Sequence, residues 1–241
     1  MTLKDYRPLH PRLREFTEAD LRPAFRDSVE EVHADIYTFR PFADAWIAAL
    51  LEEVLHAREW AARSGVLLTP PNSMNSYGVI LADIGLAGAM DAVMRLVVRP
   101  LAAELFPEVG GAHLDNSHGF TVEYRRGGDL DLGFHVDHSE VTLNLCLGRA
   151  FTGGELYFQG RRCGLHRQTA CSSVDTFDYS HSPGVALLHA GKHRHGAYPV
   201  ESGERLNLIL WCRSRGYQLI QRGNELDGAC PDWCRESRDR W

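Results

Sequence analysis

The spacing of apolar residues changes about halfway along the chain. In the first part they recur at intervals of three and four, whereas after about Gly119 they alternate with polar residues. A period of 3.6 residues indicates amphipathic helices, and a period of two indicates β-strands. We therefore predict a mainly helical N-terminal region (residues 1–112), a strand-rich domain (residues 113–217) and a polar C-terminal tail (residues 218–241).

Two helices are predicted in the first region. One covers residues 45–60, with Pro41 and Asp44 in positions that suit a helix start. The other covers residues 86–106, where Pro100 should kink the helix or divide it in two.

A loop rich in proline and asparagine, residues 69–78, separates these two helices. Its composition favours an ordered turn over a helix or a central strand. Two interpretations remain open: a plain connector, or a loop that lines an active site.

The second half contains short alternating segments with glycine-rich or polar turns between them. Strands are predicted at residues 120–124, 133–137, 141–147, 154–158, 185–189 and 206–212. Successive strands without intervening helices favour an antiparallel sandwich or barrel, of which the jelly roll is the usual metal-bearing form. The predicted class is α+β: a double-stranded β-helix core, jelly-roll or cupin-like, with the helical region packed on it.

Composition and charge exclude several classes of function. The 241 residues are 44% hydrophobic and 24% charged, as in an ordinary globular protein, and the formal net charge is -6. Such a charge offers no basic stripe for a nucleic-acid backbone, so direct nucleic-acid binding is not expected. The amino terminus lacks the apolar run of a signal peptide, and no segment has the apolar length of a membrane span. The prediction is a soluble, cytoplasmic protein without membrane partners.

Six cysteines in a chain without a secretion signal are expected to be reduced thiols. Cys230 and Cys234 have a spacing that could form half of a zinc site. No second pair with ligand spacing lies nearby in the sequence, so whether these two bind metal is left open.

His135 and Asp137 are candidates for a metal site. Residues two apart in an extended strand point to the same face, so both side chains can reach one ion. Three later histidines, His189, His193 and His195, compete for the role of third ligand. Two histidines and one carboxylate can occupy one face of an iron(II) ion and leave the opposite face open.

Arg205 adds a second function to this candidate site. Its guanidinium is planar and permanently charged, and it can bind a carboxylate through two parallel hydrogen bonds. A dicarboxylate co-substrate such as 2-oxoglutarate would require such a group.

The segment from His195 to Arg205 resembles the distal signature of the prolyl and lysyl hydroxylase branch of the iron(II)/2-oxoglutarate oxygenases. In that branch proline follows the ligand histidine after four residues, glycine after eight and arginine after ten, which matches His195, Pro199, Gly203 and Arg205. This register selects His195 as the ligand. His193 then matches an extra histidine found in lysyl-hydroxylase-like members.

The proximal part is similar to the same branch. The matching features are Tyr124, the His135-Val-Asp-His-Ser run, Thr142-x-Asn144 and the pair Gly153-Gly154. Residues 72–78 and 177–181 further resemble a little-characterised group of such oxygenases shared by plants and bacteria. Leu132 departs from the pattern, because many prolyl hydroxylases have tyrosine there.

The resemblance implies a role for each matched residue. His135, Asp137 and His195 would bind Fe²⁺, Arg205 would pair with the distal carboxylate of 2-oxoglutarate, and Tyr124 and Asn144 would contact that co-substrate. Tyr77, His138, Glu140, His181 and His193 are further candidates for substrate contact, although each is also explained as a supporting or surface residue.

The implied activity is a dioxygenase that uses O₂ and 2-oxoglutarate and releases succinate and CO₂. It would hydroxylate, or oxidatively demethylate, a peptide or protein side chain or a small amine or amino acid, with L-ascorbate as an additional reductant. Asp137 argues against halogenation, because halogenases of this superfamily have a small residue there. The alternative is a non-catalytic, cupin-like metal-binding recognition module, against which Arg205 argues.

Overall fold

The computed structural model of the chain describes residues 1–226 and 228–234. The last seven residues of the predicted polar tail, 235–241, lie outside the described residues. The described residues form four α-helices: α1 (Asp44–Ser64), α2 (Ala87–Val93), α3 (Arg99–Leu105) and α4 (Arg215–Leu226). A π-helical turn, Met94–Val98, joins α2 to α3.

The strands are β1 (Glu30–His33), β2 (Ile36–Phe39), β3 (Asn116–Arg125), β4 (Leu132–His135), β5 (Val141–Gly148), β6 (Phe151–Gly153), β7 (Leu156–Arg161), β8 (Thr176–Tyr179), β9 (Ala186–Ala190), β10 (His193–Ala197) and β11 (Val200–Arg213). They form two sheets, and every pairing is antiparallel. The larger sheet has the order β1-β2-β9-β5-β11-β3, with β6 also paired to β11, and the smaller has the order β4-β10-β7-β8.

Alternation along the central strands directs different chemistry to the two faces of the larger sheet. On β5, Leu143 and Leu145 belong to the main hydrophobic core, whereas Thr142 and Asn144 line a cavity between the sheets. Successive residues of a strand point to opposite faces, so one strand can serve the core and the cavity at once. The predicted α+β class and the jelly-roll core are confirmed.

The helical region packs on the outer face of the larger sheet. Helix α1 is longer than predicted and ends before Gly65, which has a φ of 66° and so provides the left-handed residue that commonly follows a helix. Buried residues of α1, including Leu50 and Val54, share one hydrophobic core with the apolar face of the sheet. Burial of this face orients the polar face of the sheet toward the cavity.

The helix predicted at residues 86–106 is neither sharply broken nor uniform. Pro100 lies in the first turn of α3, directly after the π-helical turn Met94–Val98. Proline lacks an N–H donor and crowds the carbonyl four residues earlier. Because the wider π-helical turn directly precedes α3, Pro100 lies where α2 passes into α3, and the chain stays helical on both sides of it.

The mainly helical N-terminal region also contributes β1 and β2, which the alternation analysis did not predict. Ile36 and Phe39 are buried, and β2 pairs with β9 at the edge of the larger sheet. Each of these strands has only four residues, too few for a period of two to be distinguished. Asp35, with a φ of 64°, makes the turn between them.

Within the described part of the chain, no helix combines the length and the apolar character needed to cross a membrane.

Candidate metal and co-substrate site

A cavity of about 210 Å³ lies between the two sheets. Its polar lining includes His135, Asp137, Thr142, Asn144, His195, Arg205 and Asn207, and its apolar lining includes Phe120, Val122, Leu132, Leu156, Ile209 and Trp211. A mainly apolar cavity with a few convergent polar groups is typical of a small-molecule site.

His135, Asp137 and His195 meet at this cavity. His135 on β4 is the register partner of His195 on β10, and the centroids of the two imidazole rings are 4.2 Å apart. Asp137 follows two residues after β4 ends, with carboxylate oxygens 3.5 Å from His135 Nε2 and 3.8 Å from His195 Nε2. One donor atom from each of the three residues lies within 4.8 Å of the other two. The three residues therefore fit a single metal ion.

The backbone orients both imidazole rings. His135 Nδ1 lies 2.9 Å from the carbonyl oxygen of Gly133, and His195 Nδ1 lies 2.8 Å from that of His193. A carbonyl oxygen can only accept, so each Nδ1 donates and each Nε2 keeps its lone pair. A metal-binding histidine usually donates its other ring nitrogen in this way.

Two hydrogen bonds position Asp137, one to its carboxylate and one from its backbone. Thr142 Oγ1 donates to Asp137 Oδ2 at 2.6 Å, and the backbone N–H of Asp137 donates to the carbonyl oxygen of Gly191 at 2.8 Å. A Cβ on Gly191 would lie 2.0 Å from the carbonyl oxygen of Ser139, so a larger residue would force these segments apart. The close approach depends on glycine.

Protonation suits this donor set to a divalent metal ion. Burial raises the pKa of the Asp137 carboxyl group, but the neighbouring His195 and His135 lower it by more, so this pKa lies below its usual value. Burial, followed by the neighbouring His135, lowers the pKa of His195 to about 3. The ligands are then one carboxylate and neutral imidazole, the forms that bind metal.

The other two histidines considered as third ligands point elsewhere. His189 Nδ1 donates to the carbonyl oxygen of Ala190 at 3.0 Å. His193 packs edge-on against Phe158, and neither of its ring nitrogens has a hydrogen-bond partner among the described residues. Of the three candidates, the structure brings His195 to His135 and Asp137.

Arg205 lies on β11 at the same cavity and is 1% exposed. Its guanidinium donates to the carbonyl oxygen of Gly154 and lies over the ring of Tyr124, 4.5 Å from the centroid. No carboxylate of the described residues forms an ion pair with Arg205, and its Nε has no hydrogen-bond partner. A buried cation without a counter-ion is costly, and a carboxylate of a bound ligand would compensate it.

Two further predicted contacts, Tyr124 and Asn144, also line the cavity. Tyr124 is the cross-strand partner of Arg205, and its hydroxyl accepts a hydrogen bond from Asn75 Nδ2 at 3.2 Å. Asn144 Oδ1 accepts from Asn207 Nδ2 at 2.7 Å, while Asn207 Oδ1 has no partner among the described residues. Tyr124 and Asn144 therefore both present polar groups to the cavity that contains Arg205.

The loop of residues 69–78 contributes to the cavity wall through Asn72, Ser73, Met74 and Asn75. Asn72 Oδ1 accepts hydrogen bonds from the backbone N–H groups of Met74 and Asn75, both at 2.8 Å. Of the two interpretations left open, the structure supports a loop at the site. The composition of the loop predicted that it is ordered. Asn75 could be identified as a site residue only from the structure, through its hydrogen bond to Tyr124.

The remaining candidates for substrate contact separate into two groups. His138 lines the cavity, whereas Tyr77, Glu140, His181 and His193 are not part of its described wall. Glu140 accepts a hydrogen bond from the backbone N–H of Ser214 at 2.6 Å, which links the core to α4. Arg167, which the sequence did not single out, lies in the lining as a second cation.

We expect the metal-free protein to lose stability as the pH falls below about 6.5. Burial, with the Arg205 cation as a second cause, lowers the pKa of His181 to about 3, and His195 has a similar value. Between about pH 6.5 and about pH 3 the unfolded chain binds protons that the folded chain does not. The free energy of unfolding therefore decreases as the pH is lowered, and the slope approaches about 1.4 kcal/mol per pH unit for each histidine.

Urea unfolding of the chelator-treated protein at about pH 7.5 and about pH 5.5 checks this expectation. His181→Gln should make the free energy of unfolding less dependent on pH, because one of the buried histidines with a lowered pKa is absent. An equally steep dependence in wild type and variant would contradict the assignment.

Comparison with known proteins finds related chains and a similar fold. Residues 1–111 match the model of the OGFOD2-like domain. Over 209 residues the chain is 47% identical to the 2-oxoglutarate and iron-dependent oxygenase domain-containing protein ICU11 of Arabidopsis thaliana, covering 86% of this chain and 53% of that protein. It is 38% identical over 202 residues to the 2-oxoglutarate and iron-dependent oxygenase domain-containing protein 2 of Homo sapiens, covering 83% and 53% of the two chains. The chain thus spans about half the length of these relatives.

Among solved structures, the non-heme alpha ketoglutarate dependent carbocyclase SnoK from nogalamycin biosynthesis superposes with a TM-score of 0.52. The match covers 87% of this chain and 92% of SnoK at 11% identity. At this identity the match supports the fold alone.

Proposed function

The chain belongs to the iron(II)- and 2-oxoglutarate-dependent oxygenases, and from this premise we propose a specific activity in their prolyl-hydroxylase-like branch. The protein is a dioxygenase that hydroxylates, or oxidatively demethylates, a peptide or protein side chain or a small amine or amino acid. One observation supports this proposal: a single cavity contains the three-donor set and a buried arginine, Arg205, that has no counter-ion among the described residues.

His135, Asp137 and His195 would bind Fe²⁺. The two Nε2 lone pairs and the ionised carboxylate are suitable donors, and three protein ligands leave positions for other molecules. Bound iron and 2-oxoglutarate would supply the oxidising chemistry, in which O₂ is reduced as 2-oxoglutarate is converted to succinate and CO₂. Thr142 would keep Asp137 oriented toward the ion through its 2.6 Å hydrogen bond.

Arg205 would bind the distal carboxylate of 2-oxoglutarate through the part of its guanidinium that does not contact Gly154. Tyr124 and Asn144 would donate or accept hydrogen bonds at the same end of the co-substrate. Leu132, where many prolyl hydroxylases have tyrosine, leaves this side of the cavity apolar. The co-substrate would therefore depend more on Arg205 and Tyr124 than on a group at position 132.

The cavity wall would control access of substrate and water. Phe120, Val122 and Leu156 make part of it apolar, which limits water around the reacting groups. A prime substrate would approach the cavity from its solvent-exposed side. Exposed lining residues there include Met74, His138 and Arg167. We include L-ascorbate as a reductant and the cytoplasm as the compartment in this proposal.

We expect the anaerobic protein loaded with Fe²⁺ to develop a weak visible charge-transfer band when 2-oxoglutarate is added. Under air it should release succinate, and an extract of peptides and metabolites should yield products heavier by one oxygen atom or, for demethylation, lighter by one methylene with formaldehyde. Adding and omitting ascorbate tests its contribution.

His135→Ala is the matched negative control for both signals, since it removes one donor of the set. Absence of the band and of succinate in wild type, with every extract tested, would favour the non-catalytic, cupin-like recognition module instead.

A further inference from the structure

A second cluster of potential metal ligands lies outside the cavity. Cys163 and His166 come from the connection between β7 and β8, and Cys230 and Cys234 come from the segment after α4. One donor atom from each lies within 4.8 Å of the other three. Cys163 and Cys234 are buried, and His166 and Cys230 are half-buried. The fold has therefore supplied the second pair of ligands that the sequence around Cys230 lacked.

The distances fit a tetrahedral zinc ion. With Zn–S bonds of about 2.3 Å and Zn–N bonds of about 2.0 Å, a tetrahedron has S···S edges of about 3.8 Å and S···N edges of about 3.5 Å. The Sγ atoms of Cys163 and Cys230 are 3.9 Å apart. His166 Nδ1 lies 3.3 Å from Cys163 Sγ, 3.4 Å from Cys230 Sγ and 3.6 Å from Cys234 Sγ.

Ordinary hydrogen bonding does not account for this arrangement. The single Nδ1 of a neutral imidazole accepts one hydrogen bond or donates one, yet three sulfur atoms converge on it. A disulfide between Cys163 and Cys230 would need sulfur atoms about 2.05 Å apart, far closer than the 3.9 Å between them. One ion shared by all four side chains explains every distance.

We propose that Cys163, His166, Cys230 and Cys234 bind a structural Zn²⁺ ion. Four protein ligands complete a tetrahedron and leave no position for substrate, as in closed structural sites. The backbone N–H of Cys163 points to Cys234 Sγ at 3.4 Å, a contact that would stabilise a thiolate ligand. The zinc site rests on this geometry alone and does not depend on the proposed oxygenase activity.

The ion would join two segments that are distant in sequence. The connection from Arg162 to Asp175 has only short 3-10 turns of its own and is further braced by an Arg162–Asp175 ion pair of 3.0 Å. On the C-terminal side, Trp233 Nε1 donates to the hydroxyl of Tyr217 on α4 at 3.0 Å. Zinc would hold the connection and the C-terminal segment together where little regular structure does so.

This link also bears on the cavity, because Arg167 directly follows the proposed ligand His166 and lines the cavity. Fixing His166 on the ion would limit the positions that the Arg167 backbone can adopt. The zinc ion would therefore help to hold a cation at the cavity wall without taking part in the reaction.

The test is the metal content of the full chain, purified without chelator and measured by inductively coupled plasma mass spectrometry. We expect about one zinc per chain in wild type and at least about a fivefold loss of zinc in Cys163→Ser and Cys230→Ser. Cys171→Ser is the matched control, because Cys171 lies in the same connection but outside the cluster, and it should keep its zinc. Asp137→Ala should also keep zinc while losing iron.

Cobalt substitution of wild type avoids dependence on variants that fail to fold. A tetrahedral site with three thiolates should give intense visible bands and a thiolate-to-cobalt absorption in the near ultraviolet, and added zinc should remove both. Removal of the ion should lower the melting temperature by at least about 5 °C. Wild type without zinc and without the cobalt bands, or zinc retained in both cysteine variants, would overturn the proposal, as would a disulfide between any two of the cluster's cysteines.

Discussion

Asp137→Ala should lower 2-oxoglutarate turnover at least about 10³-fold, which corresponds to about 4 kcal/mol of transition-state stabilisation. The carboxylate is the anionic member of the proposed iron set and lies within 3.8 Å of both imidazole Nε2 atoms. Without it, two neutral imidazoles would bind Fe²⁺ weakly and would not define the face left open for other ligands. Iron content after equilibrium dialysis and succinate release measure the two consequences separately.

Asp131→Ala is the matched control for this substitution. Asp131 is an exposed aspartate next to β4 and is not part of the three-donor set, so its loss should leave iron binding and turnover within about twofold of wild type. Full turnover by Asp137→Ala at normal iron content would show that the carboxylate is not a required ligand.

Arg205→Leu should raise the dissociation constant of 2-oxoglutarate by about 10²- to 10³-fold, as removal of one partner of a buried ion pair typically costs several kcal/mol. Arg205 is almost fully buried and has no carboxylate partner among the described residues, so its charge is available to a ligand. Arg205→Lys should recover only part of the affinity, because an ammonium keeps the charge but cannot form two parallel hydrogen bonds.

The measurement is the anaerobic charge-transfer band titrated with 2-oxoglutarate, together with the melting temperature at each concentration. Wild type should be stabilised by the co-substrate, whereas Arg205→Leu should not, because the ligand can stabilise only the state that binds it. Arg167→Ala is the matched control, since Arg167 is the other arginine in the cavity lining, and it should leave the titration unchanged. A larger loss of affinity in Arg167→Ala than in Arg205→Leu would show that Arg167, and not Arg205, binds the carboxylate of 2-oxoglutarate.

Much of the fold could be predicted because each periodic segment carries its own signal. The alternation at residues 141–147 and 206–212 predicted β5 and β11, and the helical spacing at residues 45–60 predicted α1. Several short elements gave no such signal: β1, β2, β6 and β8 have four residues or fewer, and β10 is rich in histidine. Their strand conformation comes from pairing with neighbours, which is a tertiary interaction.

The candidate site divides in the same way. His135, Asp137, His195 and Arg205 could be selected from spacing and resemblance, and the structure brings all four to one cavity. Asn75 could not be selected, because its role depends on contact with Tyr124, 49 residues away. The roles of these residues in binding iron and 2-oxoglutarate stay predictions for the experiments above.

The sequence by itself determined the class of fold and selected His135, Asp137 and His195 as candidate metal ligands, since motif spacing and strand alternation are properties of short segments. Only the tertiary structure brought His135, Asp137 and His195 together in space, buried Arg205 without a counter-ion among the described residues, and brought Cys163 and His166 to Cys230 and Cys234. The physical reason is that strand pairing and helix packing bring together residues more than 60 positions apart, and no local pattern records such contacts.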